Sequence, residues 1–482
     1  MRDRSMERSA MSTPAADMLG QILDGLAAPT PRDVSIHGTG SLPAAFAVSD
    51  LAGASIAAAG AALAGLLQTV GIAPAVAVDR RLASFWFGGS LQPEGWSPPP
   101  PWDPVAGDYE AADGWIRLHT NAPRHRDAAL TVLGVPALRD AVADAVARWP
   151  AGALEDAIVA AGGCAAAMRS ADEWAAGAAG TAVAAEPLIA WQRVGAGAAA
   201  FDPSPGRKPL QGLRVLDMTR VLAGPVATRL LALMGADVLR IDPPEWEELG
   251  VVPEVMMGKR SARVDARSLE GRERIARLFA SCHVFVHGYR PGALEDLGFG
   301  GSLRRSLNPT AIEVTLDAYG WTGPWRGRRG FDSLVQMSTG IAEAGMRRFG
   351  KARPTPLPVQ ALDHATGYLM AAAALSALTR QRTSGETMQA RLSLARTAAL
   401  LMGYLSCEEA AMAPETPADS DARTEATFWG PAARIAAPLT VDLWPERPAA
   451  PLESDDAEWE AREGSHGSGK RSASIPMVDH PV

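Results

Sequence analysis

Asp363 and the helix that follows it hold the most reactive arrangement in this sequence. The segment QALDHATGYL (360–369) runs straight into an Ala/Leu-rich stretch at 365–380. On residue type alone, Asp363 reads as the N-cap of that helix. A cap can also react. Helix-start donors and the helix dipole keep a carboxylate ionised, and an ionised carboxylate can attack a thioester carbonyl to form a mixed anhydride. A second candidate is the segment DMTRVLAGP (217–225), between an apolar strand at Leu213–Asp217 and a helix over 224–235. The small residues Ala223 and Gly224 let a ligand approach the backbone there, and the free N–H groups of a helix start suit phosphate or carbonyl oxygen. The run Arg326-Gly-Arg328-Arg329 could bind one phosphorylated small molecule or be a solvated loop.

Other motifs fail on context. Gly195-Ala-Gly-Ala-Ala-Ala200 mimics a dinucleotide fingerprint but lies before the first strand instead of between strand and helix. His283 and His287 are four apart on a strand, a spacing that makes no helical metal pair, so no metal is expected. No P-loop, G-x-S-x-G or C-x-x-C occurs.

These residues need elements to hold them. Strands at Leu213–Asp217, Ala236–Ile241, His283–His287 and 311–316 alternate with helices at 224–235 and 269–280. That alternation predicts an α/β fold with a mostly parallel, Rossmann-like sheet. Two Pro-rich linkers, 91–107 and 200–209, bracket a second unit that opens with a strand at Trp115–His119. The expected division is a polar leader at 1–35, a helical unit at 36–90, a small α/β domain at 91–200, the large domain at 205–415, and a Pro/acid-rich segment at 416–482 with a disordered tail. The chain also repeats itself. PAAFAVSDLAGASIAAAGAALAGLL (43–67) and PLPVQALDHATGYLMAAAALSALTR (356–380) each carry an Asp, an Ala-rich helix and then a strand-like segment. Asp50 mirrors Asp363 and reads as a degenerate, structural copy.

Composition narrows the class. The 482 residues are 47% hydrophobic and 21% charged, enough to build cores in two or three domains. A net charge of −8 argues against nucleic acid as a partner. The longest apolar run, Ile56–Leu67, is shorter than a membrane span and reads as a buried helix. The first 18 residues lack the apolar core of a secretory signal. Three cysteines make no disulfide framework, which fits a reducing cytoplasm.

Four blocks then carry a resemblance: PLQGLRVLDMTRVLAGPVATRLLALMGADVLRIDPP, GKRSARVDARSLEGRERIARLF, VHGYRPGALEDLGFG and LNPTAIEVTLDAYGWTGPWRGRRGFDSLVQMSTG. In this order they resemble the class III CoA-transferases, the family of formyl-CoA transferase and carnitine CoA-transferase, from about Lys208 to Leu400. The resemblance implies a Rossmann-like large domain, coenzyme A or acyl-CoA as substrate with no permanently bound cofactor, a small carboxylate as co-substrate, and an interlaced homodimer away from membranes. It makes Asp363 the catalytic nucleophile. It places Arg220, Val221, Leu222 and Ala223 along coenzyme A, Lys259 and Arg260 in the nucleotide-phosphate region, and Gly288 and Tyr289 beside adenine or pantetheine. Gly88 and Gly89 resemble the family's glycine loop, as a lid or as N–H donors to an oxyanion. The order then looks permuted, with the small-domain half first. Asp296 and Pro243 stand where relatives carry Arg. Related acyl-CoA racemases use a His where this chain has Phe331, which favours transfer over racemisation, with His119 or His364 as the substitutes a racemase would need. A coenzyme A-binding protein without catalysis is the remaining alternative.

Overall fold

The computed structural model describes residues 13–199, 201–204, 208–406 and 410–460. The expected disordered tail from 461 and the first twelve residues of the leader lie outside that range, as do Cys407 and Ala200.

The leader is more than a polar strand of chain. Thr13 caps a helix over Pro14–Asp24 by accepting from the Ala16 N–H, and Met18, Leu19, Ile22 and Leu23 bury one face. The sequence scan missed it because its apolar positions are few and dispersed. Next come β1 (Val34–His37), the Asp50 helix (Val48–Gln68), β2 (Val76–Asp79) and a short helix, Arg80–Trp86. β1 and β2 pair in parallel. The Asp50 helix is longer than the expected 56–67 core. By length and composition it could cross a membrane, yet it is buried within the protein, where it packs mainly on the Asp363 helix.

The Pro-rich segment after it holds β3 (Leu91–Pro93). β4 (Gly107–Ala111), β5 (Gly114–Leu118) and β6 (Ala165–Ala167) make an antiparallel sheet of three strands, with helices at Pro123–Leu133, Arg139–Val146 and Ala151–Ala160. A separate core around Ile116, Leu118, Val142 and Leu154 holds this unit together. The unit ends earlier than 200, because β7 (Ala190–Ala196) crosses to the large sheet as an antiparallel edge.

The large sheet contains β8 (Arg214–Met218), β9 (Asp237–Asp242), β10 (Arg260–Arg263), β11 (Val284–His287), β12 (Ile312–Asp317) and β13 (Glu386–Ser393). Its order is β10-β9-β8-β11-β12-β13-β7, parallel except for β7. The central strands β8, β11 and β12 are largely buried because helices cover both faces. Val215, Val284, Val286, Ile312 and Val314 face one core with the Asp363 helix (Ala361–Ser384). Leu216, Leu239 and Phe285 alternate to the other face, beneath the helix Leu269–Ala280. The strand order reverses between β8 and β11, the place where open α/β sheets bind ligands. Finally β14 (Glu425–Thr427) and β15 (Gly430–Arg434) form a small sheet with β3, so the acid-rich C-terminal segment is ordered as far as 460.

Candidate active site

Asp363 is the third residue of its helix, which begins at Ala361 and not near Ala365. It is therefore not the cap. The two free N–H groups of the first turn, those of Leu362 and Asp363, donate to Asp332 Oδ2 at 2.8 and 3.1 Å. Asp332 itself starts the helix Asp332–Thr339 and also accepts from Gln336 Nε2. The expectation that helix-start donors hold Asp363 ionised is thus corrected: those donors serve Asp332. Among the described residues nothing donates to the Asp363 carboxylate. Burial pushes its pKa well above the usual carboxylate range, and the neighbouring Asp332 charge pushes it further. Asp332 is raised to about 6, again mainly by burial, against the pull of its donors.

Close helix packing aims Asp363 at the βα turn. A Cβ on Gly367 would lie 2.5 Å from the Ala223 carbonyl oxygen and 2.8 Å from Val226. The Asp363 helix thus rests against the start of the helix Ala223–Leu233. Asp363 stands one turn before Gly367 on the same face, toward the turn 219–223. That turn is strained. Val221 has φ 69°, a conformation a β-branched residue adopts only when its surroundings force it. Its N–H donates to Glu248 Oε2 at 2.8 Å. Leu222 and Ala223 are buried beside it. Arg220 donates to the Tyr289 hydroxyl at 2.9 Å and lies over the Trp246 and Tyr289 rings. Arg220 and Tyr289, just beyond the ends of β8 and β11, are therefore in contact.

Lys259 and Arg260 sit differently from the sequence expectation. The Lys259 ammonium is fully buried and holds Asp217 Oδ2 at 3.2 Å, the Pro225 carbonyl at 2.9 Å and the Thr228 hydroxyl. Burial lowers it to about 8. It pins the βα turn from beneath and cannot reach a nucleotide in this arrangement. Arg260 is occupied by Asp237 and the Glu458 carbonyl. Both sit at the start of β10, a strand not recognised in the sequence. Other cations are grouped near Arg220. Arg124, at the start of the small-domain helix Pro123–Leu133, is lowered first by burial and then by the positive charges of Arg329, Arg220 and Arg290. The positive charges of Arg124, Arg220, Arg290 and Arg329 thus act on one another, with Asp242 paired to Arg220. Of these, Arg329 belongs to the Arg-rich run noted in the sequence. Arg124 gave no signal, because the small domain delivers it from a hundred residues away.

The Gly88-Gly89 loop does reach the Asp363 helix. A Cβ on Gly88 would lie 3.8 Å from Val359, and Phe87 stacks on His364 and Tyr368 at 5.3 and 6.1 Å. Glu254 anchors the loop by accepting from the Ser90 and Leu91 N–H groups, and Arg229 and Arg434 neutralise that carboxylate. The oxyanion role is corrected, however. The Gly88 and Gly89 N–H groups already donate to the Phe85 and Trp86 carbonyls, at 2.8 and 3.2 Å, closing the short helix. What remains is a wall or lid.

The two Asp residues occupy closely similar backbones and opposite electrostatics. The residue before each helix has the same unusual conformation, Ala47 at φ −73°, ψ 63° and Gln360 at φ −75°, ψ 63°. Each helix leads through a strand to a capped short helix, with Asp79 and Ser393 as caps. Asp50, however, is held by a two-pronged ion pair with Arg80, at 3.1 and 2.9 Å. The position after the cap is Arg80 in one copy and Leu394 in the other. Asp363 has no such partner.

His364 packs on Phe87 with burial lowering its pKa to about 3, which makes it a neutral core residue. His119 stacks on Phe331 at 3.7 Å, and His125 meets the same ring edge-on at 5.9 Å. Among the described residues no cluster of three or more His, Cys, Asp or Glu could hold a metal.

Residues 210–430 match the model of CoA-transferase family III. That stretch is a little under half of the chain. Curated relatives include a probable fatty acyl-CoA transferase of Mycobacterium tuberculosis, 34% identical over 192 residues and covering 37% of this chain and 48% of that protein. A succinyl-CoA:glutarate CoA-transferase of Mus musculus is 33% identical, covering 37% and 44%. A formyl-CoA:oxalate CoA-transferase of Rhodopseudomonas palustris is 30% identical, with the same coverages. Among solved structures, a CaiB/BaiF family protein of Brucella suis is 27% identical, covers 46% of this chain and 65% of that one, and superposes with a TM-score of 0.37. The chain spans about half the length of the curated relatives it matches.

Proposed function

We propose that this protein is a CoA-transferase that moves coenzyme A from an acyl-CoA donor to a carboxylate acceptor, with Asp363 as nucleophile. The observation that carries the reading is a buried carboxyl, unpaired among the described residues, aimed at the βα turn of a CoA-transferase family III segment. Once its proton has left, the Asp363 carboxylate attacks the donor thioester carbonyl. The C–S bond breaks and an acyl-aspartyl anhydride forms with free CoA thiolate. The thiolate then attacks the aspartyl carbonyl and releases the donor carboxylate, leaving an aspartyl-CoA thioester. The acceptor carboxylate attacks that thioester to give a second anhydride, and the returning thiolate takes the new acyl group and frees Asp363. The complete cycle regenerates the free Asp363 carboxylate and consumes every thiolate it releases, so no permanent cofactor is required.

Coenzyme A would lie in the β8/β11 crevice along Arg220–Ala223 and Gly288–Tyr289. Arg124, Arg290 and Arg329 would face its phosphates, and the Phe87–Gly89 loop would shield the acyl-aspartyl group from water. The permuted order, an interlaced homodimer and a cytoplasmic setting belong to the same proposal. The test is a coupled transfer assay with a panel of acyl-CoA donors and carboxylate acceptors. Asp363→Ala abolishes transfer, whereas Asp50→Ala keeps turnover and lowers stability. Activity lost only in Asp50→Ala would reject the assignment.

His119 and His125 beside Phe331 favour a second reading, acyl-CoA epimerisation with a neutral imidazole as base; their pKa values, lowered to about 3 and 4 mainly by burial, keep them in that form. Deuterium from solvent would then enter the α-carbon of a bound acyl-CoA without any acceptor present. No incorporation excludes it.

A further inference from the structure

The βα turn beside the Asp363 helix is braced by one stretch of chain just past β9. Val221, with φ 69°, sits in a conformation that a β-branched side chain resists and that persists only when neighbours fix it. Its N–H is held from outside the turn, donating to Glu248 Oε2 at 2.8 Å. Were Val221 to relax to negative φ, the peptide units on either side would rotate, and Arg220–Ala223 would present different atoms.

Glu248 is itself fixed. Its other oxygen accepts from Arg240, a fully buried side chain of β9, and the Trp246 indole N–H donates to Oε2 at 3.0 Å. The same stretch restrains the residue before Val221. Arg220 lies over the Trp246 ring at 5.2 Å, and its Nε is 3.4 Å from Asp242. Arg263 anchors the stretch in turn by donating to the Trp246 carbonyl at 2.9 Å. Asp242, Trp246 and Glu248 together therefore hold Arg220 and Val221. A carboxylate bonded to this turn repels a ligand that carries several phosphates. Its place there calls for a second reason, and the bond to a strained N–H supplies one.

We infer that Glu248 is a positioning residue, which holds Val221 in the left-handed conformation and so sets the face that Arg220–Ala223 offer to coenzyme A. The inference rests on the placement of coenzyme A proposed above.

Calorimetric titration of the full chain with coenzyme A, at one pH and one salt concentration, tests it. The two roles open to the carboxylate have opposite signs. A group acting only as a negative charge would make Glu248→Ala bind the polyanion more tightly. A group that positions the turn makes Glu248→Ala bind it more weakly, by about tenfold or more. Glu247→Ala is the control. It removes the same charge from the same stretch, where the carboxylate meets Arg263 and makes no bond to the turn, so it should not weaken binding. Arg240 keeps its pair with Asp242, at 2.7 and 3.2 Å, when Glu248 is truncated. Val221→Gly gives a second measure, because glycine takes positive φ without the side-chain penalty: in that background Glu248→Ala should cost about threefold or less. Unchanged or tighter binding in Glu248→Ala, an equal loss in Glu247→Ala, or an undiminished loss alongside Val221→Gly would overturn the inference and leave the transferase reading standing. No binding of coenzyme A to the unaltered chain would overturn both.

Discussion

A carboxyl group buried without a donor is destabilising once it ionises, and Asp363 is such a group. Its folded-state pKa is raised, so the folded protein binds its proton more tightly than the unfolded chain does. Its favourable contribution is complete below the unfolded value near 4 and is lost as pH rises through the folded value. Asp332, raised to about 6, behaves the same way between about pH 4 and 6. Asp363→Asn should therefore raise the melting temperature at pH 8, by about 1 °C per kcal/mol recovered in a chain of this length, and change little at pH 4. A pH series of thermal melts checks the sign. The same proton must leave before the carboxylate attacks, so the acidic limb of the pH–rate profile should lie above the ordinary carboxylate range. Lys259 shows the opposite behaviour at this scale. It is a buried ammonium with every bond satisfied, and Lys259→Met should cost about 3–5 kcal/mol in a denaturant melt by stranding Asp217.

Elements decide where Asp363 points. The Gly367 contact with Ala223 leaves no room for a methyl group, and the obstructing atom is backbone. Gly367→Ala should destabilise by about 1–3 kcal/mol and reduce turnover more than that loss explains, because it tilts the Asp363 helix off the βα turn. Comparing denaturant midpoints with kcat separates the two effects. This is also the scale at which sequence reading fell short. The alternation of apolar strands and helices was plain, because β8, β9, β11 and β12 are short, mostly apolar runs bounded by turn residues. The start of the Asp363 helix was misplaced because its true capping acceptor, Asp332, lies 31 residues upstream in sequence, and no local pattern reveals it. Lys259 looked like a phosphate ligand because β10 is short and polar in sequence. Arg124 was invisible for the same non-local reason as Asp332. The Asp50–Arg80 pair needed 30 residues of intervening chain to close before the two acids could be told apart.

For the whole molecule, the two Asp helices form the central contact, and Phe87, from the first half of the chain, packs on His364 beside the proposed nucleophile in the second. The central claim is that Asp363 carries the acyl group and then coenzyme A. Incubation with a donor acyl-CoA that supports turnover, followed by hydroxylamine and peptide mass mapping, measures this directly. The account predicts a hydroxamate on Asp363 and none on Asp50. A donor that turns over yet leaves Asp363 unmodified, or modification at Asp50 instead, would contradict it.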